Sequence, residues 1–410
     1  MTSMTPWAGL ARWLQRHRYR NVPSELLQQP ASPPDFESAM PRVIEINEME
    51  QLEDLRLAWN CLLPNTRGLS FFHTLDWLKT YWRFFGHGQR MRVLVAMSGS
   101  NPVGILPLTV RREKTRVGWV RVLTYPLHDW GTFYGPIGPN PTATLSLAMQ
   151  HLRQTRRDWD LLDLRWVNRD EHDQLRTQWA MEHAGFAVAS QGWQTTALVD
   201  FHEGWETYWA NRNAKFRHNV QRGERRLNKC GEVELIRHRP LSMTNGDGDP
   251  NWELYNTCVD LAARSWQGSS TDGTTLSTDS VRHFFREAHQ QAAKNGMVDL
   301  SVLEVGGRSI AFSYNYYCQS RLIGMRIGYD PEFGKYGVGN VMYAYAFRDS
   351  VQRGDQLFDL GIGSLDIKKH WSTRFVDSQR YTHYAPAAKA QLLRLKHWND
   401  RRVLADAPSS

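Results

Sequence analysis

The chain of 410 residues is poor in cysteine, in long apolar runs and in metal-binding patterns. Its four cysteines lie far apart and form no C-x-x-C pair, so neither a disulfide framework nor a zinc ribbon is expected, and a reducing compartment, the cytoplasm, is predicted. No segment approaches the roughly 18 consecutive apolar residues of a membrane-spanning helix. The sequence contains no H-x-x-x-H, H-E-x-x-H or G-x-S-x-G pattern, so it predicts neither a metal site nor a serine hydrolase.

Aromatic residues and one local excess of positive charge stand out against an otherwise ordinary globular composition. The sequence has 17 Trp, 15 Tyr and 16 Phe, enough for large cores and for clefts that bind carbon-rich ligands. The net charge of +8 is concentrated in residues 205–230, where Glu206 and Glu224 are the acids among seven basic residues. The basic residues are Arg212, Lys215, Arg217, Arg222, Arg225, Arg226 and Lys229. Such a patch favours a phosphate-bearing ligand or another anionic surface.

The length predicts two or three domains, and the patterning divides the chain into four parts. Residues 1–40 form an N-terminal tail with a predicted basic amphipathic helix, either a peripheral membrane contact or a weak helix on a flexible linker. Residues 41–200 are predicted as a first domain and residues 201–386 as a second, both α/β with mixed sheets. Residues 387–410 are predicted as a C-terminal helix and tail.

Hydrophobic patterning predicts the elements of both domains. In the first domain it predicts helices over residues 49–63, 75–85 and 143–155 and strands over 91–97, 103–110, 121–125 and 161–166. In the second, a basic helix over 205–230 precedes a strand over 233–238, helices over 252–266 and 278–295, and strands over 298–305, 309–318 and 321–329. Gly306 and Gly307 form a two-residue turn, which predicts an antiparallel hairpin. A helix ending at Arg353 and a strand over 357–360 follow.

A glycine-rich loop joins the strand over 321–329 to the next helix, with glycines at positions 334, 337 and 339. Glycines let consecutive backbone N–H groups converge on phosphate oxygens, and the start of the helix adds partial positive charge. The spacing fits neither a Walker loop nor the dinucleotide fingerprint of a βαβ unit. On its own, the triplet is as typical of a structural turn as of a phosphate site.

The order of hairpin, strand, glycine loop, helix and strand resembles the core of the GNAT acyltransferases. In that family a [Q/R]-x-x-G-x-[G/A] loop binds the diphosphate of coenzyme A. Gly334 stands where the family has Gln or Arg, and the next five family positions are matched by Lys335, Tyr336, Gly337, Val338 and Gly339. Residues 45–385 are also similar to the CelD-type acetyltransferases of cellulose and exopolysaccharide production. This similarity is carried by Phe71-Phe72, Asp76-Trp77, Ile105-Leu106-Pro107-Leu108, Ser265-Trp266, Tyr329-Asp330-Pro331, and Asp359-Leu360-Gly361-Ile362-Gly363 with Lys368.

The resemblance implies two tandem GNAT-like domains, as in Fem-type aminoacyl transferases, of which only the second keeps the donor loop. It implies acetyl-CoA or another acyl-CoA as co-substrate and a binding loop from Gly334 to Asn340. The loop amides of Gly337 and Gly339 would bind the diphosphate, and the strand over 321–329 would contact the pantetheine arm. Gly324 and Gly328 in that strand either permit close backbone approach or mark a bulge.

Three side chains are candidates for the chemistry of acyl transfer. Asp359 is an ionisable residue in an apolar strand, so burial would raise its pKa and suit it to act as general base, unless local N–H groups simply satisfy it. Tyr329 is a candidate proton donor to the leaving thiolate, or else a core residue. Lys368 is a candidate contact for a phosphate or an acidic acceptor, or else a solvated charge.

Further candidate substrate contacts are aromatic and basic. Trp266 and Trp371 would suit stacking on a sugar ring or on adenine. In the basic helix an apolar stripe would leave Arg212, Lys215, Arg222, Arg226 and Lys229 facing outward, to bind an anionic acceptor or to form a solvated face. Nucleic acid is not expected, because no recognition fold accompanies the patch.

These observations favour an acyl-CoA-dependent acyltransferase that acts on an amine or hydroxyl of a sugar, amino-acid or cell-envelope precursor. Direct attack on the thioester is predicted, since no cysteine lies in the matching segments. A Fem-like transferase that uses aminoacyl-tRNA is the alternative enzyme, with the basic helix as RNA contact. The non-enzymatic alternative is a binding subunit of a polysaccharide-synthesis complex. It stays open because Gly334 replaces the Gln or Arg that the family has at this position.

Overall fold

The computed structural model describes residues 41–128, 130–269 and 275–405, so the helix predicted within residues 1–40 lies outside the described residues. Its strands form a 12-stranded mixed sheet. They are β1 Arg42–Ile46, β2 Arg90–Ser98, β3 Asn101–Thr115, β4 Gly118–Thr124, β5 Leu161–Val167, β6 Ala189–Asp200, β7 Val233–His238, β8 Val298–Val305, β9 Arg308–Cys318, β10 Arg321–Tyr329, β11 Leu357–Asp359 and β12 Arg374–Tyr384. The spatial order is β1-β2-β3-β4-β5-β12-β6-β11-β10-β9-β8-β7.

Twelve α-helices in the described residues pack on the two faces of this sheet, joined by short 3₁₀ and π turns. They are α1 Met49–Asp54, α2 Arg56–Leu62, α3 Leu75–Phe85, α4 Pro141–Gln154, α5 Arg176–His183, α6 Gly204–Ala210, α7 Ala214–Leu227, α8 Trp252–Arg264, α9 Arg282–Lys294, α10 Val338–Gln352, α11 Leu365–Lys368 and α12 Ala388–Ala405. The predicted α/β class with mixed parallel and antiparallel strands is confirmed.

The two central strands were not predicted from the sequence. β6 lies between β12 and β11, and β12 lies between β5 and β6, so each half of the chain contributes a strand beside strands of the other half. Both strands are rich in polar residues, which pair with one another across the ladder. For example, the Thr195 hydroxyl donates to the Asp377 carboxylate over 2.5 Å. Without apolar alternation, such strands give no period-two signal.

Two predicted helices are each broken into two. The basic segment forms α6 and α7. The first helix ends at Ala210 with Asn211 as its C-cap, and Asn213 caps the second by accepting a hydrogen bond from the Phe216 N–H over 3.2 Å. The segment over 49–63 is divided into α1 and α2 at Leu55. The hairpin at Gly306 and Gly307 is confirmed, with positive φ angles of 57° and 79° and antiparallel pairing of β8 with β9.

A buried ion-pair network ties α10 to the sheet. On β7, the Arg237 guanidinium donates to Asp299 of β8 over 2.9 Å and to Asp349 of α10 over 2.8 Å. Arg239 donates to the same Asp299 carboxylate and to Asp355, just after α10, over 2.9 and 2.8 Å. Asp299 is fully buried and shared by both arginines, so it fixes the helix whose first turn carries the glycine loop.

We expect Asp299→Ala to lower the free energy of unfolding by about 3–5 kcal/mol, because it leaves two buried guanidinium groups without this carboxylate. Urea unfolding followed by circular dichroism measures the change. Asp366→Ala is the control, since the Asp366 carboxylate is paired with Lys369 but is 96% exposed. Equal stability of the two variants would contradict a structural role for the network.

Candidate functional site

The candidate site lies where two parallel strands of the sheet separate. β10 and β11 pair through only three residue pairs, from Arg321 opposite Leu357 to Ile323 opposite Asp359. β11 then ends, whereas β10 continues to Tyr329 after a bulge between Gly324 and Arg326. This bulge lies in the pairing of β10 with β9 and bends β10 close to where β11 ends, so a V-shaped cleft opens between β10 and the chain that follows β11.

The glycine loop closes the wide end of this cleft. Residues Pro331–Tyr336 form a 3₁₀ helix, and Gly337, at a φ of 68°, turns the chain into α10. A side chain at this left-handed position would be strained, although a Cβ placed on Gly337 would have no atom within 4 Å. The loop therefore requires glycine here for its backbone conformation and leaves open space above it.

The amides that the loop leaves available differ in part from those predicted. The Gly337 N–H donates to the Gly334 carbonyl over 2.9 Å, so it is already used within the turn. The N–H groups of Val338 and Gly339, in the first turn of α10, have no acceptor among the described residues. Val338 is fully buried and Gly339 is half-buried, so Gly339 presents the more accessible of the two donors. Together with the helix dipole, this end of α10 can bind an anion such as a diphosphate.

Tyr329 forms a wall beside the loop. Its ring lies 3.6 Å from a Cβ built on Gly334 and 3.4 Å from one built on Gly339, which are ordinary contact distances, so the ring packs directly against both ends of the loop. On its other side the ring lines a cleft of about 510 Å³ together with Arg264, Trp266 and Pro331. Trp266 is 58% exposed there and presents an aromatic surface, and its stacking on a ligand stays a prediction.

Asp359 lies at the narrow end of the V. It is 5% exposed, and its Oδ1 accepts hydrogen bonds from the Thr196 hydroxyl and the Gly361 N–H, both over 2.7 Å. Its Oδ2 has no hydrogen-bond partner among the described residues. Burial raises the pKa of this carboxyl, and the bonds from Thr196 and Gly361 partly oppose the rise. The group can therefore take up a proton closer to neutral pH than an exposed aspartate.

Lys368 of α11 is held close to the same end of the cleft. Its Nζ donates to the carbonyls of Gly361 and Ile362 over 3.1 and 2.6 Å, which leaves one of its three N–H donors available. Burial lowers the pKa of Lys368 to about 8, and the charge of Asp359 opposes that shift. The structure thus brings Asp359 and Lys368 together, a pairing the sequence reasoning missed because it treated each residue alone.

The structure does not bring Tyr329 and Asp359 together. Tyr329 is six residues along β10 from Ile323, the partner of Asp359, which is about 20 Å of extended strand. The two side chains therefore cannot act on one reacting carbon. The tyrosine belongs to the loop end of the cleft and the aspartate to the opposite end.

Trp371 and Arg212 were predicted to contact a ligand, but both form hydrogen bonds within the protein next to the site. Trp371 is fully buried, and its indole N–H donates to the Asn340 Oδ1 over 2.9 Å, so the prediction that it stacks on a ligand was wrong. Arg212 lies in the break before α7 and donates to the carbonyls of Trp371 and Ser372 over 3.2 and 2.6 Å, so it does not face outward. The Val338 side chain is buried in the core beneath the loop.

The first half repeats the parallel strand pair without the loop. β4 and β5 are parallel, with Val122 opposite Leu161, but α4 begins at Pro141, which has no N–H to offer. The cavity beyond these strands is only about 30 Å³. It is lined by Arg67, His73, Tyr134, Asn168, His172 and Asp173. Next to these strands, this half therefore has a much smaller cavity than the one beside Tyr329, and the first residue of its helix offers no N–H donor.

Two buried histidines line this cavity, and they should make the folded protein less stable in acid. Burial lowers the pKa of His73 to about 3 and that of His172 to about 4, below the ordinary value of 6.5. The unfolded chain therefore binds protons first, so stability is full above pH 6.5 and falls as the pH drops toward 4. Each histidine should cost about 1.4 kcal/mol per pH unit in that window.

We expect His73→Gln/His172→Gln to show a smaller loss of unfolding free energy between pH 7 and pH 5 than the parent chain, measured by urea unfolding. The raised carboxyl pKa values of Asp173 and Asp359 act in the opposite direction, but they are common to both proteins. His202→Gln is the control, because the His202 side chain is 65% exposed. An identical pH slope in all three proteins would show that the buried imidazoles contribute nothing.

The described residues were also compared with the requirements of a membrane span and of a metal site. Among the described residues, none of the helices combines the length and the apolar character of a membrane span. Within the same ranges, no group of three or more His, Cys, Asp or Glu side chains converges as metal ligands would.

The segment that contains this candidate site matches a model of a known protein family. Residues 214–369 match the family model Acetyltransf_6, acetyltransferase (GNAT) domain. No curated protein matches the sequence.

Solved structures match most of the described fold at low sequence identity. FemX matches with a TM-score of 0.57 at 10% identity, over 86% of this chain and 99% of that one. The C-terminal domain of a proposed lysylphosphatidylglycerol synthetase from Agrobacterium fabrum matches with a TM-score of 0.51 at 11% identity, over 84% and 95% of the two chains. A tandem GNAT protein of the clavulanic acid biosynthesis pathway matches with a TM-score of 0.43 at 11% identity, over 85% and 100%.

The matched segment contains the whole of the cleft between β10 and β11, the glycine loop and the pair Asp359–Lys368. Residues 214–369 thus match a GNAT acetyltransferase domain, and the chain around it has the α/β fold also found in FemX.

Proposed function

We propose that this protein is an acyl-CoA-dependent acyltransferase that transfers an acetyl or other acyl group to an amine or hydroxyl. The acceptor class we propose is a sugar, amino-acid or cell-envelope precursor, with exopolysaccharide or cellulose biosynthesis as its setting. The observation that carries the proposal is the cleft between β10 and β11, with the Val338 and Gly339 amides at its mouth. The GNAT domain match over the same residues supports it.

The residues present fit an acyl-CoA. The amides of Val338 and Gly339 would hold the diphosphate, beside the exposed turn at Gly337 and the ring of Tyr329. The cleft from this loop to Asp359 is about 20 Å long, which suits an extended pantetheine arm along β10. When bound, the acyl-CoA would supply a thioester carbon. As an amine or hydroxyl bonds to this carbon, its bond to sulfur breaks, and coenzyme A leaves as a thiolate that takes a proton from solvent.

In this proposal Asp359 and Lys368, at the narrow end of the cleft, accept the proton of the acceptor group and stabilise the negative charge that forms. Asp359 accepts the proton of the attacking amine or hydroxyl at Oδ2, while Thr196 and Gly361 hold Oδ1 in place. Lys368, fixed on two carbonyls, offers its remaining N–H to negative charge that develops nearby. Tyr329 is no longer proposed as proton donor, because of its distance from Asp359.

Release of the free thiol of coenzyme A tests the proposal. The purified chain is incubated with acetyl-CoA and a bacterial metabolite extract, thiol is measured with a chromogenic disulfide, and acylated products are identified by untargeted mass spectrometry. We expect thiol release that depends on the extract, and one or more acetylated products. Calorimetry that detects no binding of coenzyme A would overturn the proposal.

The cations of α7 favour a second candidate, a Fem-like transferase that uses aminoacyl-tRNA. Lys215, Arg222 and Lys229 are exposed on α7 and in the turn after it, and form no ion pair with an acid among the described residues. Salt-sensitive binding of tRNA without binding of coenzyme A would select this candidate. Binding of neither would favour a non-catalytic subunit.

A further inference from the structure

A stripe of cations runs along the flank of α7 that borders the glycine loop. We name it the cationic stripe and define it as Lys215, Arg222, Arg226 and Lys229, the last in the turn that follows the helix. Spacings of seven, four and three residues place all four on one side of a helix with 3.6 residues per turn. The apolar residues Phe216, Val220 and Leu227 lie on the adjoining face, against the core.

The stripe touches the loop itself. A Cβ on Gly223 would lie 2.3 Å from the Tyr336 carbonyl oxygen, so α7 approaches the loop as closely as its backbone allows. Three residues on, Arg226 donates to the Lys335 carbonyl over 3.0 Å and places its guanidinium 4.8 Å from the Tyr336 ring centroid. The absence of a side chain at Gly223 thus sets the distance between the stripe and the loop.

The charge on this surface is not balanced locally. Arg222 and Lys335 are exposed, and neither forms an ion pair or a side-chain hydrogen bond with any residue in the described ranges. Glu224, the acid within α7, is two residues from Arg222 and therefore on a different side of the helix. Arg222, Arg226 and Lys335 therefore form a positively charged rim next to the Val338 and Gly339 amides.

We propose that Arg222, Arg226 and Lys335 form a subsite for a phosphate monoester, separate from the diphosphate position at the start of α10. The inference rests on the proposed function: coenzyme A carries a 3′-phosphate on the ribose that adjoins its diphosphate. The two amides can serve the diphosphate, whereas a monoester near neutral pH carries close to two negative charges and is matched by side-chain cations. The subsite makes the protein select coenzyme A over dephospho-coenzyme A.

Calorimetric titration with the two ligands tests this inference. We expect the parent chain to bind coenzyme A at least about tenfold more tightly than dephospho-coenzyme A at low salt, with the ratio falling as salt is added. Arg222→Gln/Arg226→Gln should bind both ligands equally, with the affinity of the parent chain for dephospho-coenzyme A. Arg225→Gln is the matched control, since Arg225 is two residues from Gly223 and points away from the loop.

The outcomes separate this inference from the function on which it rests. Equal binding of both ligands by the parent chain would overturn the subsite and leave the acyltransferase proposal intact. Binding of neither ligand would overturn both. If Arg226→Gln weakens the fold through its bond to Lys335, Lys335→Gln removes one charge from an exposed side chain. If Lys335→Gln and Arg222→Gln both kept the parent chain's ratio of affinities for coenzyme A and dephospho-coenzyme A, this would also contradict the subsite.

Discussion

Gly337→Glu is expected to weaken binding of coenzyme A by about 100-fold or more. The new carboxylate would project into the open space above the loop, next to the Val338 and Gly339 amides. At an effective dielectric constant of about 20, two like charges 4 Å apart repel by about 4 kcal/mol, and about 2.7 kcal/mol already corresponds to a 100-fold change in affinity. Isothermal titration calorimetry measures the effect.

Gly354→Glu is the matched control for this variant. Gly354 follows the other end of α10 at a φ of 79°, and a Cβ placed on it would have no atom within 4 Å, so the same substitution meets the same backbone strain and the same free space. It adds its charge far from the amides. We expect the control to bind coenzyme A as the parent chain does. Parental affinity in Gly337→Glu, with the fold intact by circular dichroism, would contradict the phosphate role of the loop.

Asp359→Asn is expected to lower turnover at saturating acyl-CoA by about 100-fold to 10,000-fold, the usual contribution of a general base. Asparagine keeps an Oδ1 that can accept from Thr196 and Gly361, so the local structure and the KM for acyl-CoA should change little. Only the proton-accepting Oδ2 is lost. Steady-state rates with an identified acceptor, together with thermal unfolding of the variant, separate loss of the base from loss of the fold.

Thr196→Val provides the companion measurement for Asp359. The hydrogen bond from Thr196 lowers the pKa of this carboxyl, so its removal should raise that pKa and move the acidic limb of the pH–rate profile to higher pH. A merely structural Asp359 would give no such movement. Unchanged turnover in Asp359→Asn would remove the residue from the mechanism and leave Lys368 as the ionisable candidate at this end of the cleft.

The sequence predicted the second half of the fold closely where local signals were strong. The strands β8 and β10 begin and end at the predicted residues. Apolar residues recur along both strands, and Gly306-Gly307 marks the turn at the end of β8. The position of the glycine loop before α10 also followed from local spacing. In contrast, β6 and β12 are polar central strands whose pairing is set by distant partners, so no local pattern revealed them.

The candidate site was predictable only in part, for reasons of geometry. The sequence identified Asp359 and Tyr329 as polar residues near the loop, but their separation depends on the register of β11 against β10. The use of the Gly337 N–H within its own turn, and the burial of Trp371 against Asn340, depend on backbone torsion and packing. Gly223 gave the one local signal for the contact between α7 and the loop, since it interrupts an apolar helix face.

A crystal structure of the protein with coenzyme A would test the central claim most directly. We expect the diphosphate oxygens to lie within hydrogen-bond distance of the Val338 and Gly339 nitrogens, and the pantetheine arm to follow β10 toward Asp359. Coenzyme A bound elsewhere, with those two amides facing only solvent, would contradict the account.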